Sequence, residues 1–469
     1  MNVKTVIHFS IGPLGSAAIG IVTLPLITWF FAVDDIGRYS MLQLAISFSM
    51  MVFCLGLDQA YVREFHDVTD KFVLLKSVIV PGGMALGLAL MLLWLMPWSI
   101  SDFLFDVNSE YLTVLLFLGM LITFNSRFLS LVLRMEERGL AYSASQMLPK
   151  LFFLLIIGVY VWSGLEPVFD NLMLAYVFSQ VVVLVVLLAN TRCHWIPAAS
   201  VAIDITKLKA MMGYAAPLIA SGFAFWALTA MDKFFLRSLS SFEELGIYSI
   251  AISFAGAGLI LKAIFTTVWV PTVYKWNAEG IDPLKIKKMI DVVTLVIIVV
   301  WSLAGMLSWL LVYILPPEYE KIQSILLPAM AYPLLYTLSE VTGIGITIKR
   351  KTKYMLLVAM VSLIINGVGN YFLIPSMGAT GAAISSAIAF FVFFVLKTEV
   401  STMLWIELYR LKMYLVILAA LILSITVNLI ELSVTYRVVS WFSILALSFF
   451  MYRCQILGWV SMARNRVRR

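Results

Sequence analysis

The stretch I-G-P-L-G-S-A-A-I-G-I-V-T-L-P-L-I-T-W-F-F, residues 11–31, carries no charged side chain, and the next acidic residues are Asp34 and Asp35. About 20 such residues are what an α-helix needs to cross the bilayer. The run is too long for the core of a signal peptide, and no small-x-small cleavage site follows it, so it reads as a retained first span. Runs of the same kind recur throughout the chain. They place spans at about 8–32, 39–61, 77–98, 111–133, 143–163, 171–190, 213–236, 245–270, 290–314, 325–348, 354–374, 379–396, 413–431 and 438–456, fourteen in all. Of the 469 residues, 62% are apolar and 13% charged, with a mean hydropathy of +0.99. A soluble domain has about 25% charged residues, so this is an all-α, polytopic membrane protein.

Basic residues set the expected orientation. With a cytoplasmic N-terminus, 26 of the 33 lysines and arginines fall to the inside, including Lys150 and Lys397, and only Arg38, Arg237, Lys321 and Arg437 fall outside. Arg127, Lys233 and Lys262 lie within spans. Both termini are therefore expected in the cytoplasm. The net charge of +7 largely reflects this bias, and the basic tail from Arg464 to Arg469 reads as an anchor to membrane lipids rather than a nucleic-acid site. The connections at 191–212 and 271–289 are too short for a nucleotide-binding or glycosyltransferase domain. Neither a G-x-x-x-x-G-K-[ST] run nor a TVGYG-like filter is present. Cys54, Cys193 and Cys454, like His8, His66 and His194, are too scattered to imply a disulfide framework or a metal site. A transporter driven by a gradient or by its substrate remains, and an enzyme finds no support in the loops.

An internal repeat supports a transporter. Gly12–Pro13–Leu14 is echoed by Ala216–Pro217–Leu218, the G-x-Y-S tetrad Gly37–Ser40 by Gly246–Ser249, and A-I-S-F at Ala45–Phe48 by Ala251–Phe254. The offset of about 204 to 209 residues corresponds to six spans and so preserves orientation. The expected organisation is an N-terminal six-helix bundle over 1–195, a cytoplasmic linker over 196–212 and a pseudo-symmetric six-helix bundle over 213–397. An extra helix pair with its basic tail then fills 398–469.

Several stretches carry a family resemblance. They are G-P-L-G-S-A at 12–17, T-L-P-L-I-T-W-F-F-A-V-D-D-I-G-R-Y-S at 23–40, L-G-L-D-Q-A-Y-V-R-E-F at 55–65 and M-E-E-R-G-L-A-Y-S at 135–143. To these are added A-A-P-L-I-A-S-G-F-A-F-W and D-K-F-F-L between 215 and 236, and G-A-T-G-A-A-I-S at 378–385. Together they resemble the polysaccharide-transporter branch, with its Wzx-type O-antigen flippases, of the multidrug/oligosaccharidyl-lipid/polysaccharide exporter superfamily. The last two spans depart from the twelve-span pattern and resemble the related lipid II flippase. The resemblance implies a MATE/MOP-like fold in the bacterial inner membrane. It also implies export of an undecaprenyl-diphosphate-linked oligosaccharide to the periplasmic leaflet by alternating access, with a polysaccharide polymerase as a further partner. A cation exporter for drugs and a lipid II-type flippase are the alternatives.

A sugar diphosphate cannot cross the hydrocarbon unpaired, so a cationic, water-filled cavity between the halves is expected. Intramembrane charges cost about 2.5–3.5 kcal/mol each at a helix centre and are the candidates. Arg127, beside Asn125 and Ser126, can grip a diphosphate with its guanidinium fork; a structural arginine bonded to carbonyls is the alternative. Lys262 lies at similar depth. Glu340, in the middle of span ten, falls next to the position that the repeat places opposite Arg127, so the two are expected to alternate between each other and substrate or a proton, with a fixed ion pair as the alternative. Asp58 and Arg63, turned about 140° apart on a helix, are candidates for an inner gate. Asp232 and Lys233 are candidates for an outer gate. Pro25 and Pro217 are the expected hinges. No cofactor is implied; proton or sodium coupling through Glu340 or Asp58 stays open, because an inside-negative potential by itself favours outward movement of an anion by about 2.3 kcal/mol per charge per 100 mV.

Overall fold

A computed structural model describes residues 3–280, 283–430 and 433–453. Cys454 and the basic tail lie outside the described residues. Within them the structure is helical, without strands, which satisfies backbone groups within their own segment where lipid offers no hydrogen-bond partners. Thirteen helices are long and apolar enough to cross a membrane. The longest, of 52 residues, is interrupted by the non-helical Gly378. Its two arms correspond to two of the expected spans, so the fourteen crossings are accounted for.

The chain forms two compact units, Met1–Lys233 and Phe234–Arg469. Unit 1 contains α1 (Val3–Phe30), α2 (Val33–Phe53), α3 (Leu57–Glu64), α4 (Lys71–Leu95), α5 (Ile100–Phe105), α6 (Glu110–Met135), α7 (Gly139–Ser163), α8 (Phe169–Asn190) and α9 (Arg192–Ser200). It also contains most of α10 (Ile205–Leu239), in which the boundary falls. The 191–212 connection is thus not an open linker, since it holds α9 and the start of α10. Small residues let α1 and α7 approach closely. A Cβ on Gly12 would come within 2.7 Å of Ser143 Cα, Ser143 Oγ donates to the His8 carbonyl, and Lys150 Nζ donates to the Ser16 carbonyl at 3.1 Å.

The expected second span is not one helix. Leu55 (φ 50°) and Gly56 (φ 62°) turn left-handed between α2 and α3, a conformation glycine adopts freely. A Cβ on Gly56 would also crowd Ala215 and Ile219 of α10, both at 3.1 Å. Further along, α10 follows α2: the rings of Trp226 and Phe48 lie 5.3 Å apart, and the Trp226 indole donates to Ser47 Oγ at 3.2 Å.

Unit 2 comprises α11 (Phe242–Ala255), α12 (Leu259–Glu279), α13 (Pro283–Leu307), α14 (Leu311–Ile314), α15 (Ile322–Ala329), α16 (Ala331–Thr342), α17 (Ile344–Ile348), α18 (Lys353–Leu404), α19 (Leu411–Ile430) and α20 (Val434–Met451). The expected tenth span is divided into α15, α16 and α17 by Met330 and Gly343. At Gly378 (φ 52°, ψ −129°) the chain reverses within α18. Glu244 secures that reversal, accepting from the Ala379 amide at 2.8 Å and pairing with Lys321 at 3.1 Å. The two arms are joined lower down, where the Asn366 side-chain amide donates to Ser386 Oγ at 3.0 Å and Ser385 Oγ to the Asn366 carbonyl at 2.9 Å.

The last two helices are built into this unit's core. Trp301 and Trp441, both fully buried, lie 6.3 Å apart; Trp301 donates to the Leu327 carbonyl at 2.9 Å, and the Trp441 ring fills the space over Gly305. Met413, Ile417, Ala420 and Val427 of α19 belong to the same cluster. In the loop after α18, Arg410 grips the Glu399 carboxylate, and that hydrogen bond raises the guanidinium above its ordinary pKa.

Candidate functional site

Intramembrane charges occur on both units, and each group is described within its own. On unit 1, the break at Gly56 starts α3 so that Asp58 meets Arg127 of α6. Arg127 Nη2 donates to Asp58 Oδ2 at 2.7 Å, with the side chains 37% and 13% exposed. Thr123, Ser126 and Ser130, on the same side of α6 as Arg127, are also partly exposed, which makes this face of α6 polar and slender. Asn125 is occupied by the Leu121 carbonyl at 2.8 Å. Arg63 does not turn toward Asp58. Its guanidinium lies 4.1 Å from the ring centroid of Tyr214 on α10, a cation–π contact, and 3.6 Å from Glu64.

On unit 2, Lys397 Nζ donates to Glu340 Oε1 at 2.7 Å. Lys397 is only 3% exposed and Glu340 25%. The lysine stem crosses Gly343, where a Cβ would come within 2.6 Å of Lys397 Cε; this explains why a glycine ends α16. Lys262 of α12 stands 4.1 Å from the Tyr336 ring centroid, and the Tyr336 hydroxyl is hydrogen-bonded to Glu340. Tyr332, Tyr336, Phe390 and Phe393 extend the site as an aromatic wall, with Tyr332 4.6 Å from Phe390 and Tyr336 6.0 Å from Phe393.

Sequence reasoning singled out Arg127, Asp58, Lys262 and Glu340, and the structure places each beside a charged or aromatic partner. Each of Arg127 and Glu340 holds a counter-ion within its own unit, Asp58 and Lys397 respectively. Asp232 is 1% exposed and Lys233 follows it as the last residue of unit 1. Pro25 and Pro217 lie inside α1 and α10, which remain helical through them; helices are instead interrupted at places such as Leu55–Gly56, Gly256–Gly258, Met330, Gly343 and Gly378. Two cations were missed. Lys397 and Lys150 were both assigned to the inner side from their position in the chain, but Lys397 is buried in unit 2 and Lys150 lies midway along α7. For Lys397 the available signal was a lysine following the apolar run F-F-V-F-F-V-L, one helical turn before the end of its span's polar flank.

Residues 3–276 match the family of polysaccharide biosynthesis proteins. The chain belongs to this family. No curated protein matches it in sequence. Among solved structures it is similar to one described as the lipid II flippase MurJ in an inward closed conformation, with 12% identity, 96% of this chain and 100% of that one covered, and a TM-score of 0.69. It is also similar to a multidrug resistance MATE family transporter of the MOP superfamily, inward-facing, with 13% identity, coverage of 82% and 94%, and a TM-score of 0.59. The outward-facing form of such a transporter gives 14% identity, coverage of 86% and 94%, and a TM-score of 0.55. The fold is therefore the one that these flippase and transporter structures share, as the resemblance implied.

Proposed function

We propose that this protein is a flippase that carries an undecaprenyl-diphosphate-linked oligosaccharide, an O-antigen or similar repeat unit, from the cytoplasmic to the periplasmic leaflet of a bacterial inner membrane by alternating access. Both termini then lie in the cytoplasm, and the product is handed to a polysaccharide polymerase. The observation that carries the reading is the surplus of cations within the described spans. Within unit 1, Arg127 is paired with Asp58 while Lys150 has a backbone carbonyl as its partner, and within unit 2 Lys397 and Lys262 share Glu340, while Asp232 and Lys233 offset each other. Intramembrane cations that outnumber carboxylates suit a diphosphate and oppose a cationic drug. Arg127, with a second guanidinium edge beyond the one on Asp58, is the proposed grip for the diphosphate; Lys262 assists it, Arg63 and Lys233 line the approaches, and Asp58, Asp232 and Glu340 gate. Pro25 and Pro217 remain the proposed hinges. A membrane potential suffices to drive an anion outward, so no cofactor is needed and proton or sodium coupling is an optional addition.

The test is surface polysaccharide in a strain lacking the protein, measured with the pool of undecaprenyl-linked repeat unit. Loss of polymer with accumulation of the lipid-linked unit, rescued by the wild type and not by Arg127→Ala, is expected. Normal polymer with raised accumulation of cationic dyes would sink the reading in favour of the multidrug exporter that the MATE-like fold equally accommodates.

A further inference from the structure

On α16 every residue from 331 to 342 is buried except Tyr332, Tyr336 and Glu340. They are spaced four apart and so share one face of the helix, over about 12 Å of its length. The neighbours Phe390 and Phe393, 1% and 5% exposed, back the two tyrosines from behind, and the Tyr332 and Tyr336 rings lie 6.2 Å apart with their planes only 25° from parallel. The stripe ends at the Glu340–Lys397 pair. An ion pair at such an end marks a wet face rather than a lipid-facing one, because lipid would leave the charges unsolvated. Two parallel, partly open aromatic faces, backed by apolar rings and ending in a hydrogen-bonding pair, are suited to molecules with one apolar face and an edge of hydroxyls. Pyranose rings have that character.

The geometry points to Tyr332 and Tyr336 as a stacking rail for the sugar rings of the cargo, with Glu340, the 25% exposed member of its ion pair, meeting hydroxyls at its end and Lys262 capping one face of Tyr336. This rests on the flippase reading and adds to it the part of the cargo that unit 2 recognises. A rail of this length takes about two rings. Stacking depends on ring faces and little on the sugar's substituents, so it selects glycosylated carriers over bare ones while tolerating different repeat units.

The full chain in nanodiscs would be titrated with two probes, undecaprenyl diphosphate and undecaprenyl-diphosphate-linked N-acetylglucosamine. The wild type is expected to bind the glycosylated probe about tenfold more tightly, as one good aromatic contact provides. Tyr332→Leu/Tyr336→Leu, which keeps apolar bulk, should abolish that preference, while Tyr332→Phe/Tyr336→Phe should retain it. Thermal melting of each variant checks its folding, and the single Tyr332→Leu, away from the Lys262 and Glu340 contacts of Tyr336, repeats the test with less disturbance. Equal binding of both probes by the wild type, or a preference that survives the leucines, overturns the rail and leaves the flippase reading standing. Binding of neither probe by the wild type overturns both.

Discussion

Arg127 on unit 1 and Lys397 on unit 2 each hold a carboxylate at 2.7 Å, but the two pairs are housed differently. The guanidinium is 37% exposed and is surrounded by small polar side chains of α6; the ammonium is 3% exposed and is wrapped by a glycine, a tyrosine and a phenylalanine. A group that keeps access to water can exchange its partner at little cost, whereas a desolvated one cannot, because removing either member strands a buried charge. The unit 1 pair is therefore built to be opened, and on unit 2 it is the ammonium of Lys397, not the 25% exposed Glu340, that is fixed in place. On unit 2, the exchangeable chemistry is displaced onto the tyrosines and Lys262 beside the pair.

The largest effect that would break this contrast is on stability. Lys397→Met is expected to destabilise the purified protein by about 3 kcal/mol, read by thermal melting, and adding Glu340→Gln should restore most of the loss. A melting curve unmoved by Lys397→Met would mean that the pair is no more fixed than its counterpart. The reversals within the helices provide the next test. Gly378→Ala should cost about 2 kcal/mol, because it combines a glycine-only backbone conformation with a clash on Glu244. Gly56→Ala should cost about 1 kcal/mol, since an adjacent leucine already tolerates the left-handed region there. The opposite order would place the stiffer break on unit 1. Arg127→Met should lower stability by about 1 kcal/mol or less, as a partly exposed pair does, yet abolish complementation of surface polysaccharide; transport that survives it would make Arg127 a structural residue. The smallest shift is expected from Lys150→Met, about 0.5 kcal/mol for a single exposed bond to a carbonyl, seen in melting and with α1 packing preserved.

Much of the fold was legible because bilayer thickness imposes a length that apolar runs must match, and the runs from 11–31 onward do so. The family was legible for a related reason: the G-P-L and G-A-T-G motifs fall where helices approach closely or reverse, at Gly12 and Gly378, where side-chain size is constrained. Hydropathy does not register what happens inside a run. The L-G-L at 55–57 is as apolar as its surroundings, so the turn that presents Asp58 was invisible. The partners were harder still. Asp58 and Arg127 are 69 residues apart, and the repeat, which drew attention to positions near 127 and 340, carries no information on which cross-helix neighbour each one meets. Lys397 was misplaced because edges of spans are uncertain by about one helical turn, enough to move a lysine between loop and core.

The burial of Trp441 against Trp301 and Gly305 also sets a timetable for synthesis. Unit 1 has all of its described partners once the chain has been made as far as residue 233, and can settle while the rest is still being translated. Unit 2 cannot: its central tryptophan waits, with one face uncovered, until α20 emerges some 140 residues later. During that interval α13 depends on lipid or an insertase to shield the gap at Gly305, and a ribosome stalled before α20 would leave a half-finished unit marked for disposal by that exposed indole.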